Sequence, residues 1–289
     1  MRLRAGRREL ELGGTPLLMG VVNSTPDSFS DAGDHPDLLA HASRLIGDGA
    51  RIIDVGGESA VGGRPPVGVD DELARVLPLV EQLAAAHDVL ISVDTYKPEV
   101  AEAAVAAGAG MINDVSGLRD ERLAEVCART GAALVLMHTR VAPKGTLLEP
   151  DAYDDVVADV AGFLRERMGV ALAAGVGEEQ IVLDPGPDFA KTPAQTVAVL
   201  RRLDLLTALG RPLLLAVSRK DFLGAITGRA PRERGAATLA AVEFGVRAGA
   251  SILRVHDVAA AADFLAVREV LSGERVLKPE EGLTPDRYP

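Results

Sequence analysis

The feature that most constrains this chain is an alternation that never breaks. Eight short apolar runs occupy residues 17–22, 51–55, 89–93, 110–112, 133–137, 181–183, 213–217 and 251–255. Ala- and Leu-rich helical stretches lie between and after them, at 36–48, 70–86, 98–107, 120–129, 151–174, 193–209, 232–248 and 258–271. Most of the runs are continuous Val, Ile and Leu, the pattern of strands buried on both faces of a parallel sheet. Several helical stretches open on Pro or Asp, which suit a helix N-terminus, and Gly49, Gly108, Gly131, Gly175, Gly210 and Gly249 each come shortly before a strand. Such strand–helix units build a closed barrel or a doubly wound open sheet. The count of eight favours the barrel. The chain has no G-x-G-x-x-G after the first run and no G-x-x-x-x-G-K-[ST], which lowers the dinucleotide-binding and P-loop forms of the open sheet. The predicted architecture is α/β, a single (β/α)8 TIM barrel over residues 17–273. Residues 1–16 alternate weakly around Ala5-Gly6 and read as a hairpin under the barrel, and the polar, proline-bearing stretch 274–289 reads as an extended tail.

Composition narrows the function. The chain of 289 residues is 47% hydrophobic, enough for a large core, and its net charge of −11 argues against a nucleic-acid surface. An anionic substrate would need its cations gathered locally. Aromatics are 3% with no Trp, so a flat ligand would be held by polar edges and aliphatic walls. There is no run of about 18 apolar residues, so no membrane span is predicted. The Arg-rich start has no apolar segment and does not read as a secretory signal. The single cysteine, Cys127, excludes an internal disulfide and reads as a small buried hydrophobe. The expected location is the cytoplasm, with neither membrane nor nucleic acid as partner.

In a (β/α)8 barrel the active site lies at the C-terminal ends of the strands. One step past the apolar runs stand Asn23, then Asp54 and Glu58, Asp94, Asn113-Asp114, His138, Asp184, Ser218-Arg219-Lys220, and Arg254 with His256. Polar groups in such places are costly unless satisfied, and one shared pocket explains them together. Separate loop caps are the alternative for each residue taken singly. Asp94, Asn113 and Asp184 suit a flat heterocycle edged with amino and lactam groups. Lys220, Arg254 and His256, with Arg219 and Arg64 nearby, suit phosphate or carboxylate. The loop after Asn23 and the Gly-rich second loop read as covers that close on a substrate. His138 and His256 are too few for a zinc site. His35, His41 and His87 read as solvated, and Ser218 as a loop hydrogen-bonder rather than a nucleophile.

At this point the motifs resemble those of the dihydropteroate synthases. Met19-Gly-Val-Val-Asn23-Ser-Thr-Pro-Asp-Ser-Phe-Ser-Asp31 is similar to the family's first signature, and Asp54-Val-Gly-Gly-Glu-Ser59 to the start of its second. Ser92-Val-Asp-Thr-Tyr-Lys97, Ile112-Asn-Asp-Val-Ser-Gly117, Leu136-Met-His138, Asp184-Pro-Gly186, Phe189-Ala-Lys-Thr192, Ser218-Arg-Lys220 and Arg254-Val-His-Asp257 follow in family order. The resemblance implies a TIM barrel, usually a homodimer, that joins 6-hydroxymethyl-7,8-dihydropterin pyrophosphate to p-aminobenzoate. It further implies that Asp94, Asn113, Asp184 and Lys220 hold the pterin, and that Arg254, His256 and Asn23 handle the pyrophosphate. Mg2+ would bind the pyrophosphate and Asn23. The p-aminobenzoate would sit beside Lys220, Phe189 and the first two loops, with Ser218 and Arg64 among the substrate-binding residues.

Three departures fall on the p-aminobenzoate side. Ala60 and Val61 stand where the family usually has Thr and Arg. Pro187-Asp188 replaces a usual Ile-Gly, and Asp221 follows Lys220 where Ser is common. They predict that Asp221 is turned away or paired, with Arg64 the nearest cation the sequence offers, and that Arg64 takes over the missing loop arginine's work. They also leave two other readings: a pterin-binding paralogue with a different or absent second substrate, and a pterin-binding corrinoid methyltransferase. The latter would not be expected to keep Ser218-Arg-Lys220 together with Arg254-x-His256.

Overall fold

The computed structural model describes residues 1–24, 37–58 and 65–278. Within it the alternation becomes a barrel. Strands β3 (Leu17–Asn23), β4 (Ile52–Gly56), β5 (Leu90–Asp94), β6 (Met111–Asp114), β7 (Ala133–Met137), β8 (Ile181–Asp184), β9 (Leu214–Leu215) and β10 (Ile252–Val255) form one eight-stranded sheet. Their order is β8-β7-β6-β5-β4-β3-β10-β9, and each pairing is parallel. A parallel bridge between Leu183 and Leu213 joins the two end strands. That contact closes the sheet on itself and removes the open-sheet alternative.

An antiparallel hairpin of β1 (Arg2–Ala5) and β2 (Arg8–Glu11) precedes the barrel. Its turn residue Gly6, at φ +64, donates to the carbonyl of Gly131 just before β7, so the hairpin lies against the N-terminal ends of the strands.

The helices are α1 (Leu38–Gly47), α2 (Val69–Ala86), α3 (Pro98–Ala107), α4 (Arg122–Thr130), α5 (Val156–Ala173), α6 (Pro193–Leu200), α7 (Leu203–Thr207), α8 (Asp221–Thr227), α9 (Gly235–Arg247) and α10 (Val258–Leu271). Local chemistry sets several of their starts. Asp37, Asp155 and Asp257 cap α1, α5 and α10 through their carboxylates, and Pro98 and Pro193 occupy the first turns of α3 and α6. Three expectations are corrected. The helix expected from residue 151 begins at Val156 because Asp155 is its cap. The stretch 193–209 is two helices, because Arg202 leaves helical backbone at φ −122, ψ 32. A helix at Asp221–Thr227 occupies what the sequence shows as loop.

The strands sort their side chains by parity. One set, including Leu18, Ile53, Ile91, Ile112, Leu134, Leu183, Leu215 and Leu253, faces the helices and forms the large outer core. The other set, Met19, Ile52, Leu90, Met111, Val135, Val182, Leu214 and Ile252, points inward and packs with Leu3, Ala5 and Leu12 of the hairpin region. The hairpin thus floors the barrel. Two residues further along the same inward parity, the apolar layer gives way to polar side chains.

Candidate active site

Those inward polar side chains make the site. Asp54 follows Ile52, Ser92 and Asp94 follow Leu90, Asn113 follows Met111, Asp184 follows Val182, and Arg254 follows Ile252 by steps of two. Arg254 organises them. Its Nε donates to Asp54 Oδ2 at 2.7 Å, and its Nη2 donates to Asp94 Oδ2 at 3.1 Å. Asn113 Nδ2 donates to the same oxygen of Asp54 at 3.1 Å. Burial opposes the Arg254 charge, but Asp54 and Asp94 outweigh it and hold the pKa above its ordinary value. Burial drives Asp94 the other way for an acid, up to about 7; Arg254 resists this and Asp54 adds to it. Asp54 is fully buried, and its second oxygen Oδ1 has no hydrogen-bond partner among the described residues.

The opposite wall comes from β8 and the turn after β9. Asp184 Oδ1 accepts from Gly186 N at 2.7 Å, which fixes the loop leading to Phe189. Burial raises the Asp184 pKa, against the pull of that backbone donor, Lys220 and Arg254. Lys220 Nζ lies 4.3 Å from the centroid of the Phe189 ring. Burial lowers the Lys220 pKa, opposed by Asp188 and Asp184. Ser218 Oγ lies 2.9 Å from His256 Nδ1 and accepts from His256 N at 3.3 Å, as suits a loop hydrogen-bonder. Burial, then Arg254, Arg219 and Lys220, bring His256 down to about 4, so it is a neutral imidazole at pH 7. Asn23 ends β3 exposed at the rim. The structure therefore brings Asn23, Asp94, Asn113, Asp184, Phe189, Ser218, Lys220, Arg254 and His256 to one end of the barrel. Arg64, Ala60, Val61, His35 and the first-loop residues from Thr25 lie outside the described residues.

Two members of the expected ring are not in it. Asp114 and His138 have the outward parity. Asp114 accepts from Ser116 N at 2.7 Å and holds the turn after β6. His138 is fully buried, with Nε2 2.9 Å from Asp159 of α5 and its ring edge-on to Phe163. Burial and then Lys191 bring His138 down to about 3. Its expected place on the catalytic face is corrected: it is a wedge between barrel and helix. His87 is likewise not simply solvated, since its Nε2 lies 2.8 Å from Ser43 Oγ. Cys127 is buried and pushed up to about 12 by burial, consistent with an inert hydrophobe.

Other residues emerge only in three dimensions. Lys191 is 1% exposed and donates to the carbonyls of Gly186 (2.9 Å) and Phe189 (3.0 Å), with Nζ 2.8 Å from His138 Nδ1. Burial lowers it to about 7. At the rim, Lys97 pairs with Glu58 at 2.7 Å and also with Glu72, while Tyr96 OH donates to Glu58 at 3.1 Å. Arg234 donates to the carbonyls of Arg219 (2.8 Å) and Lys220 (3.0 Å) and pairs with Asp221 at 3.0 Å. Asp221 is thus paired, as expected, and Arg234 is its partner among the described residues. Lys191 lies in the Phe189-Ala-Lys-Thr192 motif and Tyr96 and Lys97 in the Ser92-Val-Asp-Thr-Tyr-Lys97 motif, whereas Arg234 lies in no motif.

A Mg2+ ion that keeps its waters and takes oxygens from substrate phosphate needs only one or two protein oxygens. The described residues offer no cluster of three or more His, Cys, Asp or Glu for a metal. The Asn23 amide oxygen is a hard donor at the rim and fits such a shared site, though not a cage built by protein alone.

Comparison with known proteins agrees with this geometry. The pattern of the pterin binding enzyme family matches residues 19–256. The dihydropteroate synthase of Bacillus subtilis (strain 168) is 45% identical over 246 residues, 84% of each chain. That of Escherichia coli (strain K12) is 41% identical over 272 residues, 93% of this chain and 96% of its own. The solved structure of Xanthomonas albilineans dihydropteroate synthase with 4-aminobenzoic acid superposes with a TM-score of 0.86 at 45% identity, covering 94% of this chain and 98% of that one. The same organism's enzyme in complex with 7,8-dihydropteroate gives a TM-score of 0.84 at 43% identity, covering 94% and 99%. The chain belongs to the pterin-binding enzyme family, among the dihydropteroate synthases.

Proposed function

We propose that this chain condenses 6-hydroxymethyl-7,8-dihydropterin pyrophosphate with p-aminobenzoate, giving 7,8-dihydropteroate and pyrophosphate in folate biosynthesis. The observation that carries the reading is the inward set Asp94, Asn113 and Asp184 beside Lys220 and Arg254, in a family with solved members holding 4-aminobenzoic acid and 7,8-dihydropteroate. Carboxylates and an amide match the amino and lactam edges of a pterin. The apolar layer of Met19, Ile52, Leu90 and Met111 sets the depth to which the ring can sink.

In this reading the bond from the pterin methylene carbon to the pyrophosphate oxygen breaks, and its electron pair leaves with pyrophosphate. The arylamine nitrogen supplies the pair for the new carbon–nitrogen bond, and its proton passes to solvent or pyrophosphate. Arg254, His256 and Asn23 receive the leaving group, while Asp94 and Asp184 favour positive charge developing on the pterin. Mg2+, held by Asn23 and phosphate oxygens, would supply charge neutralisation for that leaving group. In the substrate-free site the His256 imidazole is neutral at pH 7, so Arg254 is the cation that meets the incoming pyrophosphate and His256 a hydrogen-bonding group beside it. Lys220, above Phe189, and Ser218 face the p-aminobenzoate side. Arg64 is assigned to the same side as the counterpart of the missing loop arginine. The pairing of Asp221 with Arg234 supports an open path for the substrate carboxylate toward Lys220.

The reading includes a cytoplasmic enzyme acting as a homodimer. No helix among the described residues is long and apolar enough to cross a membrane. The test is pyrophosphate release by the purified protein, which should require both substrates and Mg2+. Pterin binding without p-aminobenzoate-dependent release would favour the paralogue instead.

A further inference from the structure

Two of the departures from the family pattern meet in space. Asp188 stands where the family usually has Gly, and it keeps a left-handed backbone at φ +64, which Asp tolerates better than most residues. Its Oδ2 accepts from Asp221 N at 2.6 Å and from Phe222 N at 3.2 Å. Those are donors of the first turn of α8, whose preceding residue, Lys220, gives no side-chain cap of its own. On the other side, Asp188 Oδ1 accepts from Thr196 Oγ1 at 3.1 Å while Asp188 N donates to the same hydroxyl at 3.1 Å. The carboxylate therefore joins the loop after β8, the first turn of α6 and the start of α8. Its neighbour in sequence is Phe189, and the neighbour of its backbone donor Asp221 is Lys220; these are the two side chains that stack at 4.3 Å. From behind, Arg234 grips the carbonyls of Arg219 and Lys220 and the side chain of Asp221.

We infer that Asp188 is a positioning residue that fixes Lys220 over Phe189 and so sets the p-aminobenzoate side of the site. The inference rests on the reaction proposed above. Charge-assisted bonds to backbone N–H groups are short and strong, and a turn held by one resists displacement better than a turn held by neutral contacts. Asp221, paired to Arg234 from the opposite side, completes the clamp. Both unusual acids thus belong to a scaffold around Lys220, and neither is a charge set loose in the pocket. The charge of Asp188 also supports the protonated form of Lys220 against its burial.

The test compares Asp188→Gly, which keeps the left-handed backbone and removes the carboxylate, with Asp188→Asn, which keeps one acceptor oxygen. Lys220 is labelled in the substrate-free protein with an amine-acylating N-hydroxysuccinimide ester and mapped by mass spectrometry, and KM for each substrate and kcat are measured in parallel. In Asp188→Gly, labelling of Lys220 and KM for p-aminobenzoate should each rise about tenfold while KM for the pterin changes less than roughly twofold, and Asp188→Asn should recover part of the change because its remaining acceptor still caps α8. Wild-type labelling of Lys220 in Asp188→Gly would overturn the inference, even with a lowered melting temperature. A wild-type protein lacking p-aminobenzoate-dependent release would overturn the proposed reaction instead, and the labelling rates would still decide whether Asp188 holds Lys220.

Discussion

The guanidinium of Arg254, rising from β10, reaches across the mouth of the barrel to Asp94 on β5, Nη2 to Oδ2 at 3.1 Å. Burial nonetheless lifts the Asp94 pKa to about 7. In the free enzyme Asp94 thus holds a proton on the acid side of neutrality, where an unfolded Asp, near 3.9, has released its own. Between those two values the folded chain binds more protons, so this group's contribution to the stability of the free protein falls as pH rises. Pterin binding by the ionised acid should run the other way. We expect kcat/KM for the pterin pyrophosphate to climb with pH to a plateau above about 7, since that ratio reports the free enzyme. Asp54→Asn removes a charge that raises Asp94 and should move the limb to lower pH. The histidines of the region lie near 3 and 4 and cannot supply it. Lys191 also lies near 7 but has no Asp54 contribution among its main causes. A limb that stays in place in Asp54→Asn would remove Asp94 from this role.

Asp184→Asn should lose turnover while the protein still folds. A charge-assisted hydrogen bond is worth roughly 1.5–3 kcal/mol, about ten- to more than a hundredfold in rate. Asn keeps an oxygen for Gly186 N, so the loop should hold. The measurement is kcat alongside a thermal melt. Near-normal turnover with a lowered melting temperature would make Asp184 a loop anchor and nothing more.

Arg254 and Arg219 should separate sharply. Arg254 points inward between two carboxylates, whereas Arg219 sits in a turn at φ +59 and contributes its backbone to Thr238 and Arg234. Arg254→Ala would leave two acids facing each other in the mouth, so Arg254→Lys is the companion variant that keeps a charge. We expect Arg254→Lys to fold and lose most turnover, Arg219→Ala to retain most of it, and EDTA to abolish both activities reversibly. Equal losses in the two arginine variants, or full activity in EDTA, would contradict the assignment of the leaving-group site.

Lys191→Met should change the pH dependence of stability. Lys191 titrates near 7 in the folded chain against an ordinary value of about 10.4, so the unfolded state binds the extra proton between them. Wild-type stability should therefore rise with pH across that interval, relative to Lys191→Met, which lacks the group. The substitution also removes the Lys191 donor from the carbonyls of Gly186 and Phe189, the first of which keeps only Phe189 N, and activity should fall with it. Parallel melting curves for the two proteins from pH 7 to 10 would count against this picture.

The barrel was legible because its signal is repeated: each buried strand writes its own continuous apolar run, and eight of them leave few architectures. The inward ring was legible because strand ends can be counted off the same runs. A list of strand-end residues carries no parity, whereas a step of two from inward Met111 selects Asn113 over Asp114, and the same step from inward Val135 reaches Met137 and leaves His138 outward. Helix α8 was missed because seven residues with a Gly at position 224 show too little helical periodicity, and its first turn is capped by a residue 33 positions earlier. The roles of Arg234 and Lys191 were hidden for a similar reason. Most of their hydrogen bonds go to main-chain carbonyls, which every residue possesses, so even the motif that contains Lys191 does not mark its partners.

The hairpin beneath the strands makes the barrel a cup and not a tube. Leu3 and Ala5 close the narrow end against Met19, Ile52, Leu90 and Met111, and no side chain of that layer is polar. Entry and departure must therefore share a single aperture. A molecule resting on the floor can leave only after whatever lies above it has gone, so the depth at which each partner sits fixes the sequence of its comings and goings.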